Sequence, residues 1–226
     1  MKHHNLIDTY FNNSLGFAEH KQVAIDLLKI TTDILEEFNI DYFLISGTLL
    51  GLVRHNDFIP YDDDIDLIVS PKIKEVVHDI YEKYNSEISL VMKGDLIKTC
   101  FKNKIIDLNN FKIWSNHLVN KKDSYYWPFI DLFIFNYSED GKYIRFFEKD
   151  WDIEEFFPSQ RTEFNDIINI SIPRNPDYFL SKNYGKDYMK ILKSSNWNHK
   201  KEFGIPKQYM ITIEEYFEYI KRKTSK

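Results

Sequence analysis

Four carboxylates fall within five residues, Asp62, Asp63, Asp64 and Asp66, with Ile65 between the last two and the apolar run Leu67-Ile68-Val69 directly after. No other segment restricts the fold as much. Residues 65–69 have the composition of a buried strand. Alternate side chains of a strand share a face, so Asp64 and Asp66 project together while Ile65 points into the core. Asp62 can join the pair at the strand entry. Like charges this close do not all stay ionised without cost; either a carboxyl keeps its proton or a cation sits between them. A divalent ion is the common solution, and Mg²⁺ takes one or two carboxylates together with water and substrate phosphates. The spacing alone leaves open a solvated acidic turn and the short Asp-x-Asp of metal-dependent glycosyltransferases. It does not suit a calcium loop of EF-hand type, whose sixth-position Gly and twelfth-position Glu would fall on Leu67 and Ile73.

The surrounding chain alternates helix and strand. Ala24, Leu27, Leu28, Thr31, Ile34, Leu35 and Phe38 recur at helical spacing over residues 19–38. A strand follows at 42–45, a short helix at 48–54, the acidic strand at 65–69 and, after Pro71, a helix over 72–84. Strands are predicted at 88–93, 97–102 and 129–135. The pair Asp140-Gly141 signals a hairpin into 143–147, and 164–172 reads as a second one. Pro176 opens a helix to Tyr184 that Gly185 ends, and 213–223 is amphipathic. Helices and strands alternate early and strands cluster later. The pattern predicts an α/β chain with a mixed sheet rather than a doubly wound one.

Two further features touch the acids. Asp131 interrupts the apolar run Phe129–Phe135, and a charge inside a buried strand is costly unless paired or metal-bound. Alone it fits a core carboxylate bridged to a lysine. With Asp64 and Asp66 it completes a set of two carboxylates on one strand and a third on a neighbour, the arrangement that holds two ions for in-line phosphoryl displacement. Upstream, Ser46-Gly47-Thr48 ends the first strand. Gly47 permits close backbone approach, and the N–H groups there suit a phosphate.

Composition sets limits. The chain has 226 residues, a net charge of −5 and an isoelectric point near 5.8, which gives no global attraction to nucleic acid. One cysteine, Cys100, allows neither an internal disulfide nor a multi-cysteine zinc site. No apolar run approaches the ~20 residues of a membrane span and residues 1–16 do not resemble a targeting segment, so a soluble, cytoplasmic chain is expected. Seven glycines and seven prolines, without a linker or repeat, predict one unit over 1–226, with a core at about 20–150 and further elements at 151–226. Only five of the basic residues are arginine, so Arg54 draws notice as a donor fork for phosphate. His55, His117 and His199 read as surface or core polar groups rather than ligands. Tyr126, Trp127 and Trp197 read as core, with a cation–π site for a quaternary ammonium as the sharper alternative. Lys121-Lys122 and His199-Lys200-Lys201 read as solvated loops or contacts for an anionic acceptor.

The run Gly47-Thr48-Leu49-Leu50-Gly51-Leu52-Val53-Arg54, continued through Ile59-Pro60-Tyr61 to Asp62-Asp63-Asp64-Ile65-Asp66, resembles the signature of the LicD/fukutin family. Phe129-Ile130-Asp131-Leu132-Phe133 is similar to the family's second aspartate strand. Pro173, Leu180, Tyr184 and Gly185 are similar to its C-terminal region. The resemblance implies a nucleotidyltransferase-like fold and transfer of a phospho-alcohol, such as phosphocholine or ribitol phosphate, from a CDP-linked donor to a glycan hydroxyl with Mg²⁺ or Mn²⁺. It implies metal binding by Asp64, Asp66 and Asp131, a phosphate turn at Ser46, Gly47 and Thr48, and the signature arginine at Arg54, whose alternative is an ion pair with Asp57 or Asp62. It also implies residues 151–226 as the acceptor side. The zinc-bearing insertion of some animal members is not expected with a single cysteine. Three rivals stand beside this reading: nucleotidyl transfer to a small molecule or protein, glycosyl transfer from a nucleotide sugar, and a non-catalytic binding module on the same fold.

Overall fold

The computed structural model describes residues 16–102, 112–113, 124–125, 127–194, 197–199, 203–204 and 209–224. After a 3₁₀ turn at Ala18–His20, helix α1 (Lys21–Glu37) buries the apolar stripe Ala24, Leu27, Leu28, Thr31, Ile34 and Leu35. Strand β1 (Tyr42–Leu44) is wholly buried. Helix α2 (Ser46–His55) begins two residues before the expected start, because Ser46 turns sharply out of the strand with φ of +51°, and Asn56 closes it at φ of +52°. Strand β2 (Ile65–Val69) and helix α3 (Ile73–Tyr84) lie where the sequence pattern puts them. So do β3 (Ile88–Lys93) and β4 (Leu96–Phe101).

Short strands β5 (Lys112–Ile113) and β6 (Ser124–Tyr125) pair with each other. Strand β7 (Ile130–Ile134) then enters the main sheet, whose order is β1-β2-β7-β4-β3. Only β2 and β7 run parallel; the other pairs are antiparallel. The sheet is therefore mixed, as expected. One face meets the helices: Thr31, Ile34 and Leu35 of α1 and Ile73, Val77 and Ile80 of α3 pack on Ile88, Leu90, Ile97, Thr99 and Leu132. Since neighbours along a strand point oppositely, Lys98, Asp131 and Asp66, aligned across β4, β7 and β2, belong to the other face.

The Ser138–Gly141 turn joins β8 (Asn136–Tyr137) to β9 (Tyr143–Phe146), which pairs with β10 (Lys149–Asp152). The β9–β10 turn uses Phe147 and Glu148 at φ of +51° and +59°, a conformation usually left to Asn or Gly. The Phe147 ring rests 4.6 Å from that of Phe133, so tertiary contact holds a turn that local sequence does not advertise. Strands β11 (Gln160–Phe164) and β12 (Ile168–Ile172) form the second expected hairpin. A buried aromatic group of Phe146, Trp151, Phe156 and Phe179 joins this half to the sheet through Phe43, 5.4 Å from Phe156. Helix α4 (Pro176–Tyr184) is capped by the Asn175 side chain, which accepts from Tyr178 N–H, and ends at Gly185 with φ of +95°. Strands β13 (Ile191–Ser194), β14 (Trp197–Asn198), β15 (Phe203–Gly204) and β16 (Tyr209–Thr212) pair as β13–β16 and β14–β15, before helix α5 (Ile213–Thr224). No described helix is long and apolar enough to cross a membrane.

Candidate active site

Alternation starts before the strand itself. Asp62, Asp64 and Asp66 stay partly open to solvent while Asp63, Ile65 and Leu67 are buried. The parallel register sets Asp66 directly beside Asp131. Asp62 lies against the first turn of α2: a Cβ on Gly47 would fall 2.2 Å from Asp62 Oδ2. Glycine at 47 is thus a matter of space rather than backbone angle. Thr48 is buried, and its Oγ1 accepts from Asp66 N–H at 2.9 Å. That bond ties the start of α2 to the acidic strand, a part not evident from the sequence. Ser46, in the left-handed region where a non-glycine residue is strained, completes the strand-to-helix corner.

Crowding shows in the electrostatics. Burial pushes Asp62 well above the usual carboxylate range, and its neighbours Asp64, Asp66 and Asp63 add to the effect. Burial and then the charges of Asp64 and Asp131 do the same to Asp66, against the pull of His199 and Lys98. Asp131 is raised by burial, offset mainly by Lys98. The buried Lys98 ammonium contacts Asp131 Oδ1 and lies 3.7 Å above the Phe129 ring. The lysine bridge considered for Asp131 and its place beside the acid pair both hold, because β4 and β2 flank β7 on opposite sides.

The sequence reading missed two residues here. Lys98 carried a usable signal, a charge in the middle of an apolar strand, the same signal that singled out Asp131. His199, read as a surface or core polar group, carried none, and the fold sets it against the acids. Its backbone N–H donates to Asp63 Oδ2 at 3.0 Å, Nδ1 lies 2.8 Å from Asp63 Oδ1, and Nε2 lies 3.4 Å from Asp64 Oδ2. Burial lowers the affinity of His199 for its proton. The Asp63 hydrogen bond and the charges of Asp64, Asp63 and Asp66 outweigh it, leaving the pKa at about 9.

The donor set fits a divalent ion. Five carboxylates, Asp62, Asp63, Asp64, Asp66 and Asp131, gather where, among the described residues, Lys98 and His199 contact them. Among the described residues, the group whose ligand atoms all lie within 4.8 Å of one another is Asp63, Asp64 and His199. Asp64, Asp66 and Asp131 share the face without closing to that spacing.

Arg54 lies to one side. One of its terminal nitrogens donates to Ile191 carbonyl at 2.9 Å, and its buried Nε has no partner. Among the described residues Arg54 forms no ion pair with Asp57, which holds Lys21, or with Asp62. Burial lowers the Arg54 pKa against the phenols of Tyr61, Tyr184 and Tyr188. Tyr184 in turn is pushed up by burial and by the charges of Asp62, Asp66 and Asp64, so it feels both the arginine and the acids. Trp127 is core: it stacks on Phe17 at 5.7 Å and donates Nε1–H to Asp63 carbonyl at 2.7 Å. Tyr126, His117, Lys121, Lys122, Lys200, Lys201 and the side chain of Trp197 lie outside the described residues.

Carboxylates of two parallel strands share one face of a mixed sheet, behind the strand-to-helix corner at Gly47, and the domain is nucleotidyltransferase-like. Residues 39–175, well over half of the chain, match the family model for the LicD/FKTN/FKRP nucleotidyltransferase domain, and the chain belongs to this family. It is 35% identical over 78 residues to lipopolysaccharide cholinephosphotransferase LicD of Haemophilus influenzae (32% of this chain, 29% of that one). It is 47% identical over 51 residues to an uncharacterized protein of Rickettsia typhi (22% and 16%) and 54% identical over 41 residues to one of Rickettsia prowazekii (18% and 15%). The matched segment thus spans less than a third of each relative. Among solved structures, lincosamide antibiotic adenylyltransferase LnuA with bound lincomycin has a TM-score of 0.40 at 13% identity, over 66% of this chain and 78% of that one. An antigenic nucleotidyltransferase-like protein of Paracoccidioides brasiliensis has 0.40 at 15%, over 70% and 64%.

Proposed function

We propose that this chain transfers a phospho-alcohol, of the phosphocholine or ribitol/glycerol phosphate type, from a CDP-linked donor to a glycan hydroxyl. The observation that carries the reading is the alignment of Asp66 with Asp131 on parallel neighbours, with Asp64 one step upstream on the same face. Family membership supports it. Asp64, Asp66 and Asp131 would hold Mg²⁺ or Mn²⁺, as a pair of ions, which would supply the positive charge that the donor's diphosphate and its leaving oxygen require.

The chain's own groups do the rest. Asp131, with Oδ1 engaged by Lys98, accepts the acceptor hydroxyl's proton on its other oxygen. The hydroxyl oxygen bonds to the distal phosphorus, the bond from that phosphorus to the bridging oxygen breaks, and CMP departs with the electron pair. Backbone N–H groups at Ser46, Gly47 and Thr48 hold donor phosphate oxygens. Arg54, in the last turn of α2, adds positive charge to the site without touching the acids. Residues 151–226 form the acceptor side.

The test is the purified chain with Mn²⁺, a panel of CDP-alcohols and a glycan acceptor, read by mass spectrometry for CMP. CMP that disappears in Asp64→Ala and Asp66→Ala supports the reading. Pyrophosphate would identify nucleotidyl transfer, and a nucleoside diphosphate from a nucleotide sugar would identify glycosyl transfer. Mn²⁺ uptake by calorimetry without turnover of any donor would leave a binding module.

A further inference from the structure

We infer that His199 is a metal ligand: its Nε2, together with Asp64 Oδ2, holds a divalent transition ion, and Asp63 fixes the imidazole for that purpose. The inference rests on the metal-dependent reading above and extends it to a residue on a separate element of the chain.

Three distances carry it. Asp63 Oδ1 stands 2.8 Å from Nδ1, and Asp63 Oδ2 accepts from the His199 backbone N–H at 3.0 Å. One buried carboxylate thus clamps both the ring and the main chain. With Nδ1–H donated to a carboxylate, a neutral imidazole carries its lone pair on Nε2, the arrangement that orients metal-bound histidines. Nε2 is 3.4 Å from Asp64 Oδ2, longer than a charge-assisted N–H···O bond. It is close to the separation of two ligands on one ion when each bond is about 2.0–2.2 Å. The Phe129 ring, 6.3 Å away and edge-on, bounds the other side of the imidazole. A set with one imidazole nitrogen discriminates among ions. Mg²⁺ favours oxygen donors, whereas imidazole suits the first-row transition metals. Mn²⁺ should therefore bind in preference to Mg²⁺, and His199 should be the reason.

The experiment uses the full chain loaded with one equivalent of Mn²⁺ and measures ¹⁴N modulation by pulsed electron paramagnetic resonance. Coupling to a directly bound nitrogen is expected, and it should vanish in His199→Gln. Calorimetry should show Mn²⁺ affinity falling by about tenfold or more in His199→Gln and in Asp63→Asn, with Mg²⁺ affinity changed much less. Mn²⁺ bound without nitrogen coupling overturns the inference and leaves the metal-dependent reading standing. Absence of any divalent binding overturns both. Because the spectrum is recorded on the unsubstituted chain, a variant that fails to fold does not protect the idea.

Discussion

At the scale of the residue, the site is built from refusals of space and charge. Gly47 and Gly51 both sit in α2, and both lack room for a methyl group, but against different neighbours. A Cβ at 47 meets the Asp62 carboxylate at 2.2 Å, while a Cβ at 51 meets main chain, Asp57 carbonyl at 2.5 Å and Ile59 nitrogen at 2.8 Å. A side chain can swing away where packed backbone cannot. Gly51→Ala should therefore cost stability, about 1–3 kcal/mol by chemical denaturation, and Gly47→Ala should cost less stability but displace Asp62 and weaken divalent binding. The opposite ranking in the two assays would refute the assignment. Lys98→Met makes a complementary case. Removing the buried partner of Asp131 leaves an uncompensated carboxylate, a loss of ~3–5 kcal/mol when it cannot relax. The thermal midpoint of the metal-free protein should fall, and saturating Mn²⁺ should recover part of the loss. The residues read as acids of the site were legible because a charge in an apolar strand is conspicuous; Lys98 obeyed the same rule and was passed over.

At the scale of the element, the decisive junction is between α2 and β2. Thr48 Oγ1 is the acceptor for Asp66 N–H, inside the protein at 2.9 Å. Thr48→Val keeps the shape and orphans a buried donor, so a destabilisation of ~1–3 kcal/mol is expected, with Thr48→Ser close to the parent. Equal stability of the valine variant would show the bond to be dispensable. Most elements could be read in advance, since the stripes of α1 and α3 and the apolar runs of β2 and β7 follow their periods closely. The β9–β10 turn was not legible, because Phe147 and Glu148 adopt left-handed angles under the constraint of the Phe133 contact. Nor was the pairing of β13 with β16, which encloses two other strands, and β14 and β15 are two-residue strands too short to carry a period.

At the scale of the whole molecule, the acids make folding depend on pH and on metal together. Asp62, Asp66 and Asp131 are held above the ~4 of an unfolded aspartate, so above that pH the folded state binds more protons than the unfolded one and stability falls as pH rises. His199, raised to about 9, acts in the same direction. Its contribution is complete below the unfolded value of about 6.5 and is lost as pH climbs through about 9. His55, lowered by burial and by Arg54, pulls the other way in this range, as one half-buried group against four; the lowered Glu37, Asp140 and Asp150 are surface groups, screened by solvent. The metal-free protein should therefore melt at a lower temperature at about pH 8 than at about pH 5, and Mn²⁺ should stabilise it more at the higher pH because the ion replaces protons. A metal-free midpoint that rises over this interval would contradict the account. The amino-acid sequence determined by itself the helices, the central strands, the mixed class of the sheet and the carboxylates at 62–66 and 131, since periodicity and an out-of-place charge are local properties. Only the tertiary structure decided that Asp66 stands beside Asp131, that Lys98 faces them from a third strand, that Arg54 turns toward tyrosines instead of Asp57, and that His199 closes on Asp63 and Asp64. Those contacts join residues far apart along the chain, and their geometry is set by sheet register and packing, which no single segment encodes.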